Sequence, residues 1–338
     1  MVKNPGAGSS GTQDSVLSAV GATPLVPLKR LFPFSAARFY AKLEALNPGG
    51  SVKDRAAIGM VLGAIESGEL TPGLSVVVES SSGNLGIGLA QVCRLYGLRF
   101  ICVVDPKTTV QNQEILRAYG AELSMVTERD GETGEFLPAR IQRVHQLRQR
   151  IPHVFWPNQY ANVRNAQAQE AIMREIVEQL DGEVDYLFVA TGTCGTIHGC
   201  AQFIARNGLS TRIVAVDAEG SAIFGETGCR RLVPGHGAAI RPELHFDGMA
   251  DSVARMTDQD CVVGCRRLVG TEAILSGGSS GAVVSAVEQR LGALPADANC
   301  VLLLPDRGER YLDTIYSDTW VNEQFGDIRH LWKEKAAC

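Results

Sequence analysis

The chain has 338 residues, 45% of them apolar and 20% charged, with a net charge of -5; that is a globular balance with material for about two domains of ~150 residues. Both signs of charge are interspersed, which argues against a nucleic-acid or anionic-membrane partner. No run of about 18 apolar residues occurs, and the most apolar stretch, LGIGLAQVCRLYGLRFICVV, is broken by Arg94 and Arg99, so no membrane span is expected.

The first fourteen residues, MVKNPGAGSSGTQD, are Gly/Ser-rich without an apolar core and read as a loose tail, not a signal peptide. Next comes NPGGSVKDRAAIGM, 47–60, which puts Lys53 behind a Pro-Gly-Gly turn and ahead of an apolar helix. A cation at a helix start opposes the dipole. Burial there lowers an amine's pKa toward the neutral form that attacks carbonyls; the alternative is a lysine paired with Asp54 or Glu79.

LSVVVE (74–79) is a predicted strand, followed by SSSGN and a helix in LGIGLAQVCRLYG. The loop ESSSGNLG, 79–86, holds serine hydroxyls and helix-start N–H groups suited to a carboxylate or phosphate. Its plainer reading is a helix N-cap by Ser82 or Asn84. FICVVDP (100–106) predicts a second strand, with a helix in TTVQNQEILRAYG, and the polar TERDGETGEFLPAR (127–140) reads as a mobile excursion between two layers. YLFVA (186–190) leads into TGTCGT (191–196), where two glycines let the backbone approach a single phosphate and Thr193 and Thr196 add hydroxyls. That loop lacks both Walker and dinucleotide spacing.

RIVAVDA (212–218) and CVLLLPD (300–306) repeat the strand type, separated by a Gly/Pro/His-rich break at 234–248. Between them LSGGSSGAVVSAV (275–287) matches the G-x-S-x-G nucleophile pattern. A hydrolase there would have to recruit His330 from a polar tail-like segment. Repeated strand, glycine turn and helix predict an α/β fold with largely parallel sheets. Gly97, Gly120 and Gly208 fall at helix C-caps. Nine scattered cysteines suit a reduced cytoplasmic protein. Cys194, His198 and Cys200, with Cys261 and Cys265 elsewhere, lack the paired spacing of a structural zinc site, so no metal is expected.

Loops of parallel sheets meet ligands beyond the strands' carboxyl ends. An activated lysine, a carboxylate nest, a one-phosphate cradle and a neutral serine acceptor together match pyridoxal 5′-phosphate and an amino acid.

The ordered occurrence of NPGGSVKDR, SSSGN, GTCGT and GGSSGA resembles the fold-type II pyridoxal phosphate enzymes, the cysteine synthase and cystathionine β-synthase family. The likeness runs from SAVGATPLVPL (18–28) to PDRGERYLDTIYSDTW (305–320). Within the family, VVDPK, NQYAN, VAVDAEGSAIFG and LPDRGERYLD are similar to the members that make N-(2-amino-2-carboxyethyl)-L-glutamate for 2,3-diaminopropionate in siderophore or antibiotic biosynthesis.

The resemblance implies two open, twisted, mostly parallel-sheet domains with the cofactor in the cleft between them. One is a smaller domain at 48–160; the larger comprises 15–47 plus 161–330. It implies that Lys53 binds the cofactor and moves the α-proton, and that Asn84 bonds its phenolic oxygen. Gly192, Thr193, Cys194, Gly195 and Thr196 would hold the phosphate, and Ser279 would meet the pyridine nitrogen. A neutral serine there makes the ring a weaker electron sink, favouring β-replacement over transamination. Ser81, Ser82 and Asn84 would grip the substrate carboxylate beside Gln159, with Arg140 and Tyr160 for a leaving phosphate. Arg164 and Arg241 are candidates for a glutamate carboxylate.

The implied reaction is O-phospho-L-serine plus L-glutamate, through α-aminoacrylate, by a homodimer with small-molecule amino-acid substrates. Sulfide or thiol chemistry on O-acetyl- or O-phosphoserine is the alternative. Leu85 and the run Asn162-Val163-Arg164-Asn165 depart from typical cysteine synthases, which fits an altered second-substrate site.

Overall fold

Runs of β-branched residues become strands, and the glycine-ended apolar segments after them become helices. The computed structural model describes residues 15–131, 134–225 and 231–332, so the tail expected at 1–14 lies outside the described residues. In chain order, β1 (Leu25–Pro27) and β2 (Arg38–Leu43) precede α1 (Lys53–Glu66), β3 (Val76–Ser80), α2 (Asn84–Leu95) and β4 (Arg99–Val104). Next are α3 (Val110–Ala118), β5 (Glu122–Met125), α4 (Phe136–Arg150), β6 (Val154–Phe155) and α5 (Val163–Gln179). Then come β7 (Tyr186–Ala190), α6 (Gly195–Arg206), β8 (Arg212–Ala218), β9 (Ser252–Met256) and α7 (Asp258–Glu272). The chain continues through α8 (Gly278–Glu288), β10 (Asn299–Leu304) and α9 (Asp318–Phe325).

The chain divides into two units, 1–22 with 47–168 and 23–46 with 169–338. Unit 1 carries a four-stranded sheet in the order β5-β4-β3-β6, all parallel. Side chains alternate across it. Val77, Phe100, Cys102 and Val104 pack with Met60 of α1 and Leu89 of α2, while Val76, Val78, Ile101 and Val103 meet Val144 and Leu147 of α4. Covering both faces explains why these strands read as unbroken apolar runs; each fully buried Val or Leu contributes about 1.5–3 kcal/mol.

Unit 2 has a six-stranded sheet, β1-β2-β10-β7-β8-β9. It is parallel except for the antiparallel β1–β2 pair. Its core joins Phe39 and Ala41 of β2 to Val283, Val284 and Val287 of α8 and to Leu302 and Leu304 of β10. Lys42 of β2 is fully buried, its Nζ 2.7 Å from Glu175 Oε2 and donating to Thr23 O at 2.7 Å.

Gly97, Gly120 and Gly208 have φ of +63°, +87° and +60°, the left-handed geometry expected just past α2, α3 and α6. The excursion expected over 127–140 is shorter: α4 begins at Phe136, because Phe136, Arg140, Val144 and Leu147 form one buried helical face. Among the described residues no helix is long and apolar enough to cross a membrane.

Candidate active site

In unit 1, Lys53 is the first residue of α1 and is half-buried. The turn before it is fastened by its own polar groups. Asn47 Nδ2 donates to Ser51 O (3.1 Å), Ser51 Oγ accepts from Lys53 N–H (3.2 Å), and Asp54 Oδ2 accepts from Gly49 N–H (2.6 Å). Asp54 therefore supplies the first-turn acid that suits a helix start.

In the loop between β3 and α2 the N-cap of the helix is Gly83, without a side-chain cap, and Ser81 ties the loop. Ser81 Oγ accepts from Gly86 N–H (2.9 Å) and Gly83 N–H (3.4 Å). Asn84 opens α2, and the half-buried Ser82 has its carbonyl bonded by Asn112 Nδ2 (3.1 Å). Gln159 comes to the same loop, its Nε2 donating to Ser80 O (3.4 Å). The segment carrying Gln159 and the half-buried Tyr160 turns at Asn158, whose φ is +48°. It is tied by Asn162 Nδ2 to Pro157 O and Asn165 Nδ2 to Gln159 O, both 2.8 Å. Those asparagines belong to the run that departs from cysteine synthases, and here they shape the loop.

Arg140 is buried, not a solvated helix residue: its Nε lies 3.2 Å from Asp105 Oδ2. Its Nη1 makes no hydrogen bond among the described residues. Two expectations need correction. Leu85 is 2% exposed within the apolar core, so it does not present itself to a second substrate. Arg164 is bound to both oxygens of Glu69 (2.6 and 3.3 Å) and to Ser67 Oγ, which occupies its guanidinium.

In unit 2, Gly192, Thr193, Cys194, Gly195 and Thr196 form the turn from β7 into α6. Cys194 is the N-cap in left-handed conformation, φ +64° and ψ −4°, a geometry that gathers successive N–H groups into an anion nest. A Cβ on Gly192 would stand 2.9 Å from Gly235 O, so only glycine lets residues 235–237 cross there, where Gly237 N–H donates to Thr191 O (2.8 Å). Burial pushes the Cys194 thiol up to about 12, leaving it neutral, so its contribution is backbone. Thr191 Oγ1 donates to Asp217 Oδ1 (2.8 Å), whose carboxyl burial also raises.

Ser279 sits in the first turn of α8, 8% exposed. The chain before it is braced by Tyr316 Oη–H to Ser276 O and Tyr311 Oη–H to Asp306 Oδ2, both 2.6 Å. Ser276 makes only an isolated bridge with Arg307, so the strand that a nucleophile elbow requires does not lead into this serine. His330 lies exposed in the turn Arg329–Leu331. Arg241 is exposed and donates to Asp247 Oδ1 (2.6 Å) and to His245 Nδ1. His198 Nδ1–H donates to Leu244 O (2.6 Å).

The donors fit pyridoxal phosphate: an amine at a helix start, a nest of N–H groups with hydroxyls for one phosphate, and a neutral hydroxyl in a helix's first turn. Sequence reasoning named Glu79 only as a partner for Lys53 and Asn165 only as part of a departing run, and missed the bracing by Glu79 with Trp156, by Asn165, and by Asp306 with Tyr311. Only the recurrence of polar residues inside apolar runs could have signalled these.

A family model described as pyridoxal-phosphate dependent enzyme matches residues 16–306. The chain belongs to that family, with the fold-type II architecture, and is an enzyme that uses pyridoxal phosphate. N-(2-amino-2-carboxyethyl)-L-glutamate synthase of Ralstonia nicotianae is 45% identical over 308 residues, 91% of this chain and 90% of that one. The enzyme of the same name from Cupriavidus metallidurans is 46% identical over 314 residues, covering 91% of each. Among solved structures, the O-acetylserine dependent cystathionine β-synthase of Helicobacter pylori superposes with a TM-score of 0.83 at 29% identity, covering 91% of this chain and all of that one. These relatives agree with a β-replacing transferase.

Proposed function

We propose that the protein makes N-(2-amino-2-carboxyethyl)-L-glutamate from O-phospho-L-serine and L-glutamate, releasing phosphate. The product would supply 2,3-diaminopropionate for siderophore or antibiotic synthesis. The names of the two relatives support the reading, and one observation carries it. Arg140 is a buried cation with a guanidinium nitrogen lacking a hydrogen-bond partner among the described residues. A leaving phosphate satisfies such a group with charge-assisted bonds, and a leaving acetate has fewer oxygens to offer.

Pyridoxal phosphate, when bound, supplies the electron sink that loosens the proton at the substrate's Cα. Lys53 would hold the cofactor through its amine and would move the proton at the substrate's Cα. Asn84 bonds the phenolic oxygen, residues 192–196 take the phosphate, and Ser279 offers the ring nitrogen a neutral partner. Ser81, Ser82 and Gln159 orient the substrate carboxylate; Arg140 and Tyr160 receive the leaving phosphate. The seven cysteines of the described residues are all buried; their scatter along the chain favours a reduced, cytoplasmic enzyme, and the family resemblance favours a homodimer.

The test is the absorbance of the purified holoenzyme with O-phospho-L-serine, and with O-acetyl-L-serine in parallel. A visible band that shifts with the phospho-substrate and reverts when L-glutamate follows is the expected result. A shift with the acetyl-substrate alone, reversed by sulfide and not by glutamate, would replace this reading with cysteine synthesis.

A further inference from the structure

Two loops of unit 1, 79–84 and 156–160, are joined by one side chain. Glu79 is 2% exposed. Its Oε1 accepts from Ser80 N–H (2.8 Å) and from Trp156 Nε1–H (3.1 Å). Its Oε2 makes no well-formed hydrogen bond among the described residues, while the Asn158 and Gln159 amides lie near enough to pull on the carboxylate. On the adjacent strand Cys102 stands opposite Glu79 in the ladder, and Cys102 Sγ–H donates to Ser81 O (3.1 Å). A buried acid thus underlies the loop whose hydroxyls and N–H groups are arranged for another carboxylate.

We propose that Glu79 is a positioning residue that fastens the two loops together and must carry its proton for the substrate carboxylate to bind tightly. This rests on the reading of residues 81–84 as the carboxylate nest. Ionised, Glu79 would repel an incoming carboxylate through a poorly screening interior. Protonated, it leaves the nest's donors unopposed. Burial raises Glu79 to about 7, against the opposing pull of Trp156 and of the Ser80, Gln159 and Asn158 amides, so the change of state falls in the neutral range. By linkage, binding a carboxylate raises the proton affinity of Glu79, and affinity falls as pH climbs through that value.

The surrounding groups are few. Cys102 is held up to about 12, mainly by burial and secondarily by Glu79, and stays neutral. Arg140 of α4 acts on Cys102 and is paired with Asp105. His145 and Arg148, also of α4, contact the Trp156 ring. The first turn of α1 carries Lys53, Asp54 and Arg55, while α2 has no acid or base before Cys93.

Two measurements on the holoenzyme decide it. With fluorinated tryptophan incorporated, the Trp156 resonance is followed by 19F NMR from pH 5.5 to 8.5, assigned by Trp156→Phe. A transition near pH 7 that survives His145→Gln and vanishes in Glu79→Gln supports the proposal; one that persists in Glu79→Gln overturns it. In parallel, the dissociation constant of L-alanine, which lacks a leaving group, is read from the absorbance change. The proton lost by the alanine ammonium is common to both proteins, so the ratio of the wild-type constant to that of Glu79→Gln should rise about three- to tenfold across that range. Equal pH slopes overturn the proposal.

Trp156→Phe provides a second variant should Glu79→Gln fail to fold. Losing the indole donor raises Glu79 further, so the fall in affinity moves to higher pH; an unmoved midpoint counts against the proposal. Binding that is tight but independent of pH removes the role of Glu79 alone. No binding of L-alanine at any pH removes the carboxylate nest itself.

Discussion

Arg140 and Asp105 have two roles that mutation separates. Their side chains are 11% and 4% exposed, so removing the guanidinium alone strands a buried carboxylate, at a cost of about 3–5 kcal/mol. Arg140→Met should therefore lower both the melting temperature and turnover of O-phospho-L-serine. Adding Asp105→Asn should restore most of the stability. Turnover that stays low in the double variant assigns Arg140 to the leaving phosphate; recovered turnover reduces it to a structural partner. The sequence of α4 shows four arginines with little to choose among them by composition. The spacing Phe136, Arg140, Val144, Leu147 was the available signal, since it places one of them on the buried stripe. The helix start at Lys53 was legible from the Pro-Gly-Gly turn before it, whereas Glu79 was weighed only as a partner for that lysine. Its bond to Trp156 crosses 77 residues, a distance over which local pattern says nothing.

Among the elements, α7 and α8 pack backbone against backbone. A Cβ on Gly264 would collide with the Gly281 carbonyl, and one on Gly281 with the Cys261 carbonyl. Main chain cannot move aside as a flexible side chain does, so Gly264→Ala should cost about 2–3 kcal/mol or more. Thermal melting checks this. Because α8 carries Ser279 in its first turn, the variant should also weaken cofactor retention, measured by dialysis. Gly281 was read within the segment LSGGSSGAVVSAV and Gly264 was not read at all, because the partner that explains each lies on the other helix. Central strands β3, β4, β7, β8 and β10 were readable because burial on both faces demands continuous apolar runs. Strands β2, β5 and β9 were not: Arg38, Lys42, Glu122 and Arg255 interrupt them, and the burial or pairing of those charges is tertiary. Lys42 is the extreme case, a lysine inside a strand whose partners come from α5 and Thr23.

For the whole molecule, two buried groups tie the units to pH in opposite senses. Glu79 rises from 4.5 to about 7 through burial. Folded unit 1 then keeps a proton that the unfolded chain has released, so its stability is full below about pH 4.5 and falls by about 3 kcal/mol by pH 7. His236 is lowered from 6.5 to about 4, also by burial, and neither ring nitrogen has a hydrogen-bond partner among the described residues. The unfolded chain takes up that proton first, so the stability of unit 2 is full above about pH 6.5 and falls by about 3 kcal/mol toward pH 4. The raised carboxyl of Asp217 tempers this second trend. Calorimetry between pH 4.5 and 7 should show the unit 1 transition moving down and the unit 2 transition moving up as pH rises. Glu79→Gln should flatten the first and His236→Leu the second; two transitions shifting in the same direction would refute the assignment.

The pairing of β2 with β10 also sets a clock. Arg38 Nε donates to Asn299 Oδ1 across 261 residues, and the parallel ladder between their strands has the same span. A ribosome adding ~5–20 residues each second takes roughly 13–50 s to cover that length. Every strand of unit 1 among the described residues falls within 76–155, so that sheet is finished while β2 still presents an unshielded edge. Such an edge invites foreign strands. During synthesis, the hairpin β1–β2 is thus the segment with the longest need of chaperone cover, and slow translation lengthens that exposure.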